Sequence, residues 1–318
     1  MERFEKYRPM SCYAAWNPSA EDRRASASGG VATMLARTVL REGGVYFGTR
    51  WSEDLRAVVD WTEDDAEPFR NSRYVRSEFR AETRRQLEAF LEAGRTVLFV
   101  GTPCQVASLK ALRTYPNLVC VDLLCHGTGS GDFLADEVAY LSQGRPVTDV
   151  RFREGPRFRF SLWNGADCLH AEDAERSPYL YGYLSGITLR EACYRCPFAS
   201  LDRLGDVTLG DFIGIDRLNA SFVWTHSEKG EALVRACGCV LEERALEERL
   251  AYRPGILEPS ARHPLRDRFL KRLEKAPFHR AIRQTLRLHF LTLPFRKAWK
   301  RLHHQAHLLK SRWAHTKP

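Results

Sequence analysis

Residues 95–112 read RTVLFVGTPCQVASLKAL, and this stretch decides the fold. Its first part predicts a buried strand over Thr96–Val100, because a short continuous apolar run bounded by a turn is typical of a strand covered on both faces. Gly101 to Pro103 predict a tight turn, and the residues after it predict a helix that begins near Cys104. A buried strand that leads directly into a helix is the βα unit of an α/β sheet.

The stretch LVCVDLLCHG at 118–127 has the same character, with Cys125 just past a second apolar strand. Cys104 and Cys125 therefore lie at the carboxyl ends of predicted strands, which is where open α/β sheets place their ligands. The helix N-terminus beside Cys104 also favours its thiolate form.

Further elements surround this pair of units. The sequence predicts a loop, a helix and a strand up to about Gly48, a strand near Ala57 to Trp61, and helices near Ala81 to Ala93 and Phe133 to Ser142. VTDVRFREGPRFRFSLW predicts a hairpin of two strands. We expect a mixed α/β core with cysteine-bearing loops at strand ends.

Two more cysteines, Cys193 and Cys196, form the C-x-x-C of ACYRCPF on a predicted loop. With Cys104 and Cys125 they supply four thiolates, the number that a cubane iron-sulfur cluster or a structural zinc requires. Taken alone, the C-x-x-C pair is compatible with zinc, with a cluster or with a dithiol redox site. The five remaining cysteines lie outside these motifs: Cys12, Cys120, Cys168, Cys237 and Cys239.

Composition limits the class of protein. With 318 residues, 44% of them hydrophobic, the chain buries a sizeable core, and nine cysteines are too few for a disulfide scaffold. The first 16 residues carry charges and no apolar signal region, and no apolar run approaches the ~18 residues of a membrane-spanning helix. These features predict a cytoplasmic protein with reduced thiols.

The net charge of +9 is unevenly placed, because Arg266 to Pro318 holds 15 Lys or Arg and only two acids. Leu, Phe and Trp recur among these cations at helical spacing. The segment predicts either docked helices with a solvated basic face or an amphipathic tail that contacts a membrane surface or an acidic partner. No recognised nucleic-acid-binding module is present, so nucleic acid is not an expected partner.

The SASGG loop at 26–30 precedes an apolar helical run. A Ser-Gly loop at a helix N-terminus presents amides and hydroxyls to a phosphate or another anion. Capping of the helix by Ser26 or Ser28 is the alternative, and spacing alone favours it because the loop is neither a Walker loop nor a G-x-G-x-x-G fingerprint.

Several motifs in fixed order carry a resemblance to a known family. They are SASGG, RYVRSE at 73–78, GTPCQ, DLLCHG, FRE, ACYRCPF, GDVTLGDFIGI and the His-Pro-x-Arg stretch at His263 to Arg266. In this order they resemble the coenzyme F420 hydrogenase/dehydrogenase beta subunit family over about Ser26 to Arg266. The sequence departs from that family at Ile213, where bacterial relatives commonly carry tryptophan, and it contains no C-x2-C-x2-C-x3-C cluster run.

The resemblance implies a mixed α/β fold with one 4Fe-4S cluster and one FAD. Carried over by position, the cluster ligands are Cys104, Cys125, Cys193 and Cys196. Within the family context, the loop of Ser26, Ser28, Gly29 and Gly30 is the first candidate for a flavin or substrate phosphate. Arg73 and Arg76 are candidates for a phosphate or an acidic substrate, and His126 is a candidate proton donor.

The sequence therefore predicts a cytoplasmic iron-sulfur flavoprotein oxidoreductase, with a small-molecule redox substrate and an electron-transfer partner protein. The resemblance also points to surface polysaccharide synthesis, and the tail to peripheral contact at the inner face of the membrane. A zinc-stabilised or redox-inactive interaction protein and a membrane-surface transferase are the alternatives. We expect three parts: 1–85 with the Ser-Gly loop, 86–265 with the cluster and flavin site, and the basic tail 266–318.

Overall fold

The computed structural model describes residues 10–111, 115–213, 219–252 and 258–295. Eight of its strands form one large sheet: β1 (Ser11–Trp16), β2 (Val45–Trp51), β3 (Ala57–Thr62), β4 (Val97–Gly101), β5 (Leu118–Leu123), β9 (Val207–Asp211), β10 (Ser221–Thr225) and β11 (Val240–Glu243). They lie in the order β11-β1-β10-β9-β5-β4-β2-β3. Strands β2, β4, β5 and β9 pair in parallel, and the outer pairs are antiparallel. The predicted mixed α/β core is confirmed.

A second, antiparallel sheet contains β6 (Asp149–Glu154), β7 (Arg157–Asn164) and β8 (Asp167–Asp173). The predicted hairpin is its β6–β7 part. Strand β8 was not predicted, because its polar sequence DCLHAED lacks the apolar alternation of a half-buried strand.

The described helices are α1 (Ala20–Arg24), α2 (Val31–Arg41), α3 (Ala81–Glu92), α4 (Pro103–Lys110), α5 (Gly131–Ser142), α6 (Pro178–Leu184), α7 (Glu228–Ala236), α8 (Leu246–Tyr252), α9 (Arg266–Leu273) and α10 (Phe278–Thr285). Short 3-10 turns lie at Glu67–Phe69 and Glu191–Arg195, and residues 287–295 are helical. None of the described helices is long and apolar enough to cross a bilayer.

Helices cover the large sheet on both faces. Along β4, Leu98 belongs to one apolar cluster with Leu35 of α2, and Phe99 belongs to another with Leu87 of α3 and Val106 of α4. Neighbouring strand residues point to opposite faces, so this alternation places one core on each side of the sheet. The continuous apolar run at 97–100 is thereby explained.

The predicted βα unit at 95–112 is confirmed over its described part. Strand β4 ends at Gly101, and α4 begins at Pro103 with Thr102 as its N-cap. The Thr102 amide donates to Oε1 of Gln105 at 2.9 Å, which completes a capping box that fixes where the helix begins.

The C-terminal helices pack against the second sheet. Phe269 of α9 and Phe278 and Ile282 of α10 are buried in the same apolar cluster as Phe160 of β7. Residues 266–295 therefore match the prediction of docked helices, and the rest of the predicted tail, 296–318, lies outside the described residues.

Candidate metal and cofactor site

Cys104 and Cys125 lie at the same edge of the large sheet. Strands β4 and β5 are parallel neighbours, with Gly101 beside Asp122, so their carboxyl ends meet at one edge. Cys104 is exposed in the first turn of α4, and its sulfur shares a hydrogen bond of 3.2 Å with Oγ1 of Thr102. Cys125 follows β5 and is partly buried.

The C-x-x-C segment lies against the loop that follows Cys125. The Arg190 amide donates to the Thr128 carbonyl at 2.9 Å, and the Cys193 amide donates to the Arg190 carbonyl at 2.9 Å. A Cβ atom placed on Gly127, whose φ is +117°, would lie 3.1 Å from Cβ of Cys193. Glycine at this position therefore permits the close approach of the two cysteine-bearing loops.

Three of the predicted ligands lie within electrostatic range of the fourth, Cys125. Burial, together with the nearby Cys104, Cys193 and Cys196, raises the pKa of the Cys125 thiol to about 12. All the described cysteines are free thiols. The structure thus places Cys104, Cys193 and Cys196 near Cys125, and their role as ligands stays a prediction.

Within the described ranges, no group of three or more Cys, His, Asp or Glu side chains is arranged so that it could hold a metal ion. The four cysteines fit a cluster by donor chemistry, since soft thiolates are the ligands that iron-sulfur clusters use. Binding would deprotonate Cys125, because a thiol must lose its proton to become a ligand.

A buried ion pair, missed from the sequence, connects the segment after the C-x-x-C to the end of β5. The Arg203 guanidinium donates to Oδ1 of Asp122 at 2.5 Å, with side-chain exposures of 2% and 0%. Arg203 also donates to the carbonyls of Phe198 and Ser200. The pair therefore holds the loop that follows Cys196 against the strand that precedes Cys125.

The Asp122 carboxylate accepts further hydrogen bonds. Thr208 Oγ1 donates to it at 2.7 Å and the Gly205 amide at 2.8 Å. Thr208 Oγ1 also lies 2.9 Å from Nε2 of His226, and burial lowers the pKa of His226 to about 4. His226 is therefore neutral beside this pair at ordinary pH.

The His-Pro-x-Arg stretch holds the C-x-x-C segment from its other side. Arg266 is buried, donates to the Ile187 carbonyl, and lies with its guanidinium carbon 5.0 Å from the ring centroid of Tyr194. Its Nε lies 3.6 Å from Glu191. The motif order in the sequence was the signal for this contact, because it placed His263 to Arg266 with the cysteine motifs.

The Ser-Gly loop lies elsewhere on the sheet, where β1 ends and β10 begins. A Cβ on Gly29 would lie 2.3 Å from the Ala15 carbonyl oxygen and 2.7 Å from the Ser221 nitrogen, so only glycine fits this position. Gly30 has a φ of +81° and is the N-cap of α2. The two glycines therefore set the path of the loop into the helix.

The two serines of this loop bond to nearby backbone. Ser26 Oγ donates to the Asp22 carbonyl at 2.8 Å, and Ser28 Oγ donates to the Ala220 carbonyl at 3.1 Å. Neither caps α2, whose N-terminus has no side-chain cap. The predicted capping by Ser26 or Ser28 is therefore wrong, and the uncapped first turn keeps the character of an anion site.

The second sheet reaches this loop through Arg153 of the FRE motif. The buried Arg153 guanidinium donates to the Ala27 carbonyl at 2.8 Å, to Asp211 at 3.1 Å and to the Tyr74 hydroxyl at 3.3 Å. It therefore joins the Ser-Gly loop, the RYVRSE segment and the GDVTLGD strand end at one place.

Arg73 and Arg76 lie in different environments. The Arg73 guanidinium donates to the carbonyls of Pro68 and Arg70, each at 2.8 Å, and burial lowers its pKa to about 10. It thus holds its own loop together. Arg76 is exposed, and its amide donates to the Gly129 carbonyl at 3.1 Å, beside the cysteine loops.

His126 is exposed at the start of the loop after Cys125. Its Nδ1 lies 3.2 Å from Oγ of Ser260, and its ring meets Tyr183 edge-on with centroids 5.5 Å apart. These contacts are those of turn packing, and its role as a proton donor stays a prediction.

A family model covers the part of the chain that holds this site. Residues 94–248 match the model described as the C terminus of the beta subunit of coenzyme F420 hydrogenase/dehydrogenase. This segment is similar to that family. It contains all four predicted ligand cysteines together with Asp122, Arg153 and Arg203, whereas the Ser-Gly loop precedes it.

A solved structure has a similar fold over nearly the whole chain. It is the xenon-derivatised F420-reducing [NiFe] hydrogenase complex from Methanosarcina barkeri, with a TM-score of 0.54 and 19% identity over 93% of this chain and 95% of that chain. At this identity the likeness shows the fold. No curated protein matches the chain.

Proposed function

We propose that the chain is an iron-sulfur flavoprotein oxidoreductase that passes electrons between a 4Fe-4S cluster and a flavin. The observation that carries the proposal is that Cys104, Cys193 and Cys196 lie near Cys125 within the matched segment 94–248. These four residues would hold the cluster, which supplies one-electron transfer when bound.

The protein's own part is to hold these ligands and limit their access to water. Asp122 and Arg203 fix the loop on one side of the C-x-x-C, and Arg266 fixes the other side through Tyr194 and Glu191. Such outer contacts orient ligands and tune a cluster's potential. Cys104 is the exposed member of the set, so electrons enter or leave most directly on its side.

The Ser-Gly loop is our candidate for the flavin phosphates. The uncapped N-terminus of α2 suits a diphosphate. Arg153 and Tyr74 connect this loop to the side of the protein that carries the cysteines. A role in surface polysaccharide synthesis, a small-molecule redox substrate and the three-part division at 85 and 265 stay predictions.

The first experiment is the ultraviolet-visible spectrum of anaerobically purified protein, with iron, sulfide, zinc and flavin content per chain. We expect about four iron atoms, about four sulfides and one flavin. Stoichiometric zinc in a colourless protein would contradict the proposal and favour a zinc-stabilised interaction protein.

Paired cysteine variants assign the ligands. Cys193→Ser should lose most of the iron, because it removes one of four thiolates. Cys168→Ser is the matched control, since Cys168 is exposed on β8 outside the matching motifs, and it should keep its iron. Full iron in Cys193→Ser would refute the four-thiolate assignment.

For the C-terminal segment we propose peripheral contact with an anionic membrane surface. Leu288, Leu291 and Phe295 are 73%, 57% and 77% exposed and recur at helical spacing. Residues 287–318 contain eight Lys or Arg and no acid. An exposed apolar face within a cationic segment is typical of a helix that lies in a lipid interface.

A further inference from the structure

Besides the four predicted ligands, two cysteines flank a glycine where α7 ends and β11 begins. Cys237 is the C-cap of α7, Gly238 is exposed with a φ of +73°, and Cys239 directly precedes β11. Glycine adopts this left-handed conformation without strain, so the chain turns sharply between the two cysteines. Both cysteines are free thiols.

The two sulfurs of this pair are close enough to share a hydrogen bond. The bond from the Cys239 thiol lowers the pKa of Cys237 to about 7, and the same bond raises the pKa of Cys239. When Cys237 keeps its proton, its Sγ donates to the Val234 carbonyl at 3.0 Å. Near neutral pH a substantial fraction of the pair therefore holds one proton and one thiolate, and the thiolate is the form of cysteine that attacks a disulfide.

The pair lies between the apolar core and the surface. Cys237 is buried and belongs to the same apolar cluster as Leu35 of α2. Cys239 packs against that cluster but is partly exposed, and Gly238 beside it is exposed. A small molecule therefore reaches the sulfur of Cys239 first, and Cys237 is shielded behind it.

These observations fit a redox-active dithiol better than a metal site. Two thiols on one turn supply two ligands, whereas a structural zinc takes four. Among the residues that the structure describes, no further Cys, His, Asp or Glu side chain is placed to complete such a set. An accessible sulfur beside a shielded one is the arrangement of an attacking and a resolving cysteine.

We propose that Cys237 and Cys239 are a redox-active dithiol that a small-molecule disulfide converts to an internal disulfide. Starting from the singly protonated pair, Cys239 attacks one sulfur of the small disulfide, its proton passes to Cys237, and one small thiolate leaves. The sulfur of Cys237 then displaces the other half, which takes the proton and leaves as a thiol. The two cysteines lose two electrons as their S–S bond forms, and the small disulfide gains two electrons as its own bond breaks.

Mass spectrometry of one tryptic peptide tests the inference. Trypsin cleaves after Arg235 and Arg244, so the peptide 236–244 holds both cysteines of the pair and no other cysteine. The purified protein is incubated with glutathione disulfide, its remaining thiols are blocked with N-ethylmaleimide, and the digest is analysed without reduction. We expect this peptide to lose two hydrogens and to carry neither N-ethylmaleimide nor glutathione, and dithiothreitol should restore both thiols.

Cys168 is the matched control within the same chain. It is an exposed free thiol on β8, a strand that contains no second cysteine, so it should stop at the mixed disulfide with glutathione. A peptide 236–244 that keeps two free thiols while Cys168 is modified would overturn the inference. So would a parent protein in which this peptide accumulates the glutathione adduct as Cys168 does.

Two variants test the order of the steps. Cys237→Ser removes the shielded sulfur and should trap glutathione on Cys239. Cys239→Ser removes the accessible sulfur, so the buried Cys237 should stay free of glutathione, and an adduct there would contradict the order of attack. The peptide 236–244 contains none of the four predicted ligands, so this inference is tested independently of whether the protein holds iron.

Discussion

The cysteine-bearing edge of the large sheet and the C-terminal helices are both attached to the body of the protein through a fully buried carboxylate. At the sheet edge, Asp122 pairs with Arg203, whose side chain is only 2% exposed. At the C-terminal helices, Glu137 of α5 pairs with Arg283 of α10, whose side chain is 27% exposed. Both side chains of the first pair are buried, whereas in the second pair only the carboxylate is buried.

The two buried carboxylates also differ in the hydrogen bonds that they accept. Asp122 accepts additional bonds from Thr208 and the Gly205 amide, so its negative charge is held by several donors. Burial raises the pKa of Glu137, although Arg283 opposes the shift. Asp122 is therefore bonded by more donors than Glu137, and Glu137 can take up a proton if its partner is lost.

The largest expected effect comes from breaking the first pair. Arg203→Met should lower the free energy of unfolding by about 3–5 kcal/mol, because it leaves a buried, uncompensated charge. The loop after Cys196 loses its attachment at the same time, so iron content should fall. Chemical denaturation and iron analysis measure the two effects.

The matched control for Arg203→Met is Arg85→Met, which removes an exposed arginine and should change stability by less than about 0.5 kcal/mol. A loss for Arg203→Met no larger than that of the control would contradict the role given to the pair.

Breaking the second pair should cost less. Arg283→Met is expected to lower the free energy of unfolding by about 1–3 kcal/mol, since Glu137 loses its bidentate partner but can be protonated. Arg280→Met on the same helix removes an exposed arginine and should have almost no effect. If Arg283→Met lowered the free energy of unfolding as much as Arg203→Met, the expected difference between the two ion pairs would be contradicted.

The two regions should respond to pH in opposite directions. His226, beside the Asp122 pair, has its pKa lowered from 6.5 to about 4 by burial. Below pH 6.5 the unfolded chain binds a proton that the folded chain refuses, so stability falls as pH drops from about 6.5 to 4. The full shift corresponds to about 3 kcal/mol.

Glu137 gives the opposite sign. Because its folded pKa is raised, its contribution to stability is present at low pH and is lost as pH rises through the folded pKa. Denaturation at several pH values, with His226→Gln and Glu137→Gln, separates the two groups. His226→Gln should flatten the acid side of the profile, and an unchanged acid side would show that His226 titrates normally.

The sequence predicted those features of the fold whose signals lie within one short stretch, and it missed those that depend on residues far apart in the chain. The strand, turn and helix around Cys104 were predicted because apolar runs and a Gly-to-Pro turn are signals within one short stretch. Strand β1 was missed because SCYAAW is short and shows no regular alternation, and its neighbours β10 and β11 are distant in sequence. Asp122 and Arg203 are 81 residues apart, so their pairing is a property of the fold alone.

The candidate site shows the same difference between features with a local sequence signal and features that depend on tertiary contacts. The motifs singled out four cysteines, and three of them lie near the fourth, Cys125. The loop serines were singled out for their hydroxyls, yet both donate to backbone carbonyls, and the feature of the loop that still suits an anion is the uncapped helix end. Where a hydrogen bond goes depends on tertiary neighbours, which no local pattern reports.

The smallest expected effect on stability concerns the helical stretch at 287–295. Phe290 packs against the apolar cluster of the second sheet and Leu293 is buried, whereas Leu288, Leu291 and Phe295 are exposed. Leu288→Ser combined with Leu291→Ser should therefore change the free energy of unfolding by less than about 0.5 kcal/mol.

The same double variant should co-sediment much less with vesicles that contain phosphatidylserine, because it removes the apolar surface that enters the interface. Vesicles of phosphatidylcholine alone are the control for charge. Equal sedimentation of parent and variant with the anionic vesicles would refute membrane contact through this face and leave the C-terminal helices as a docked part of the body.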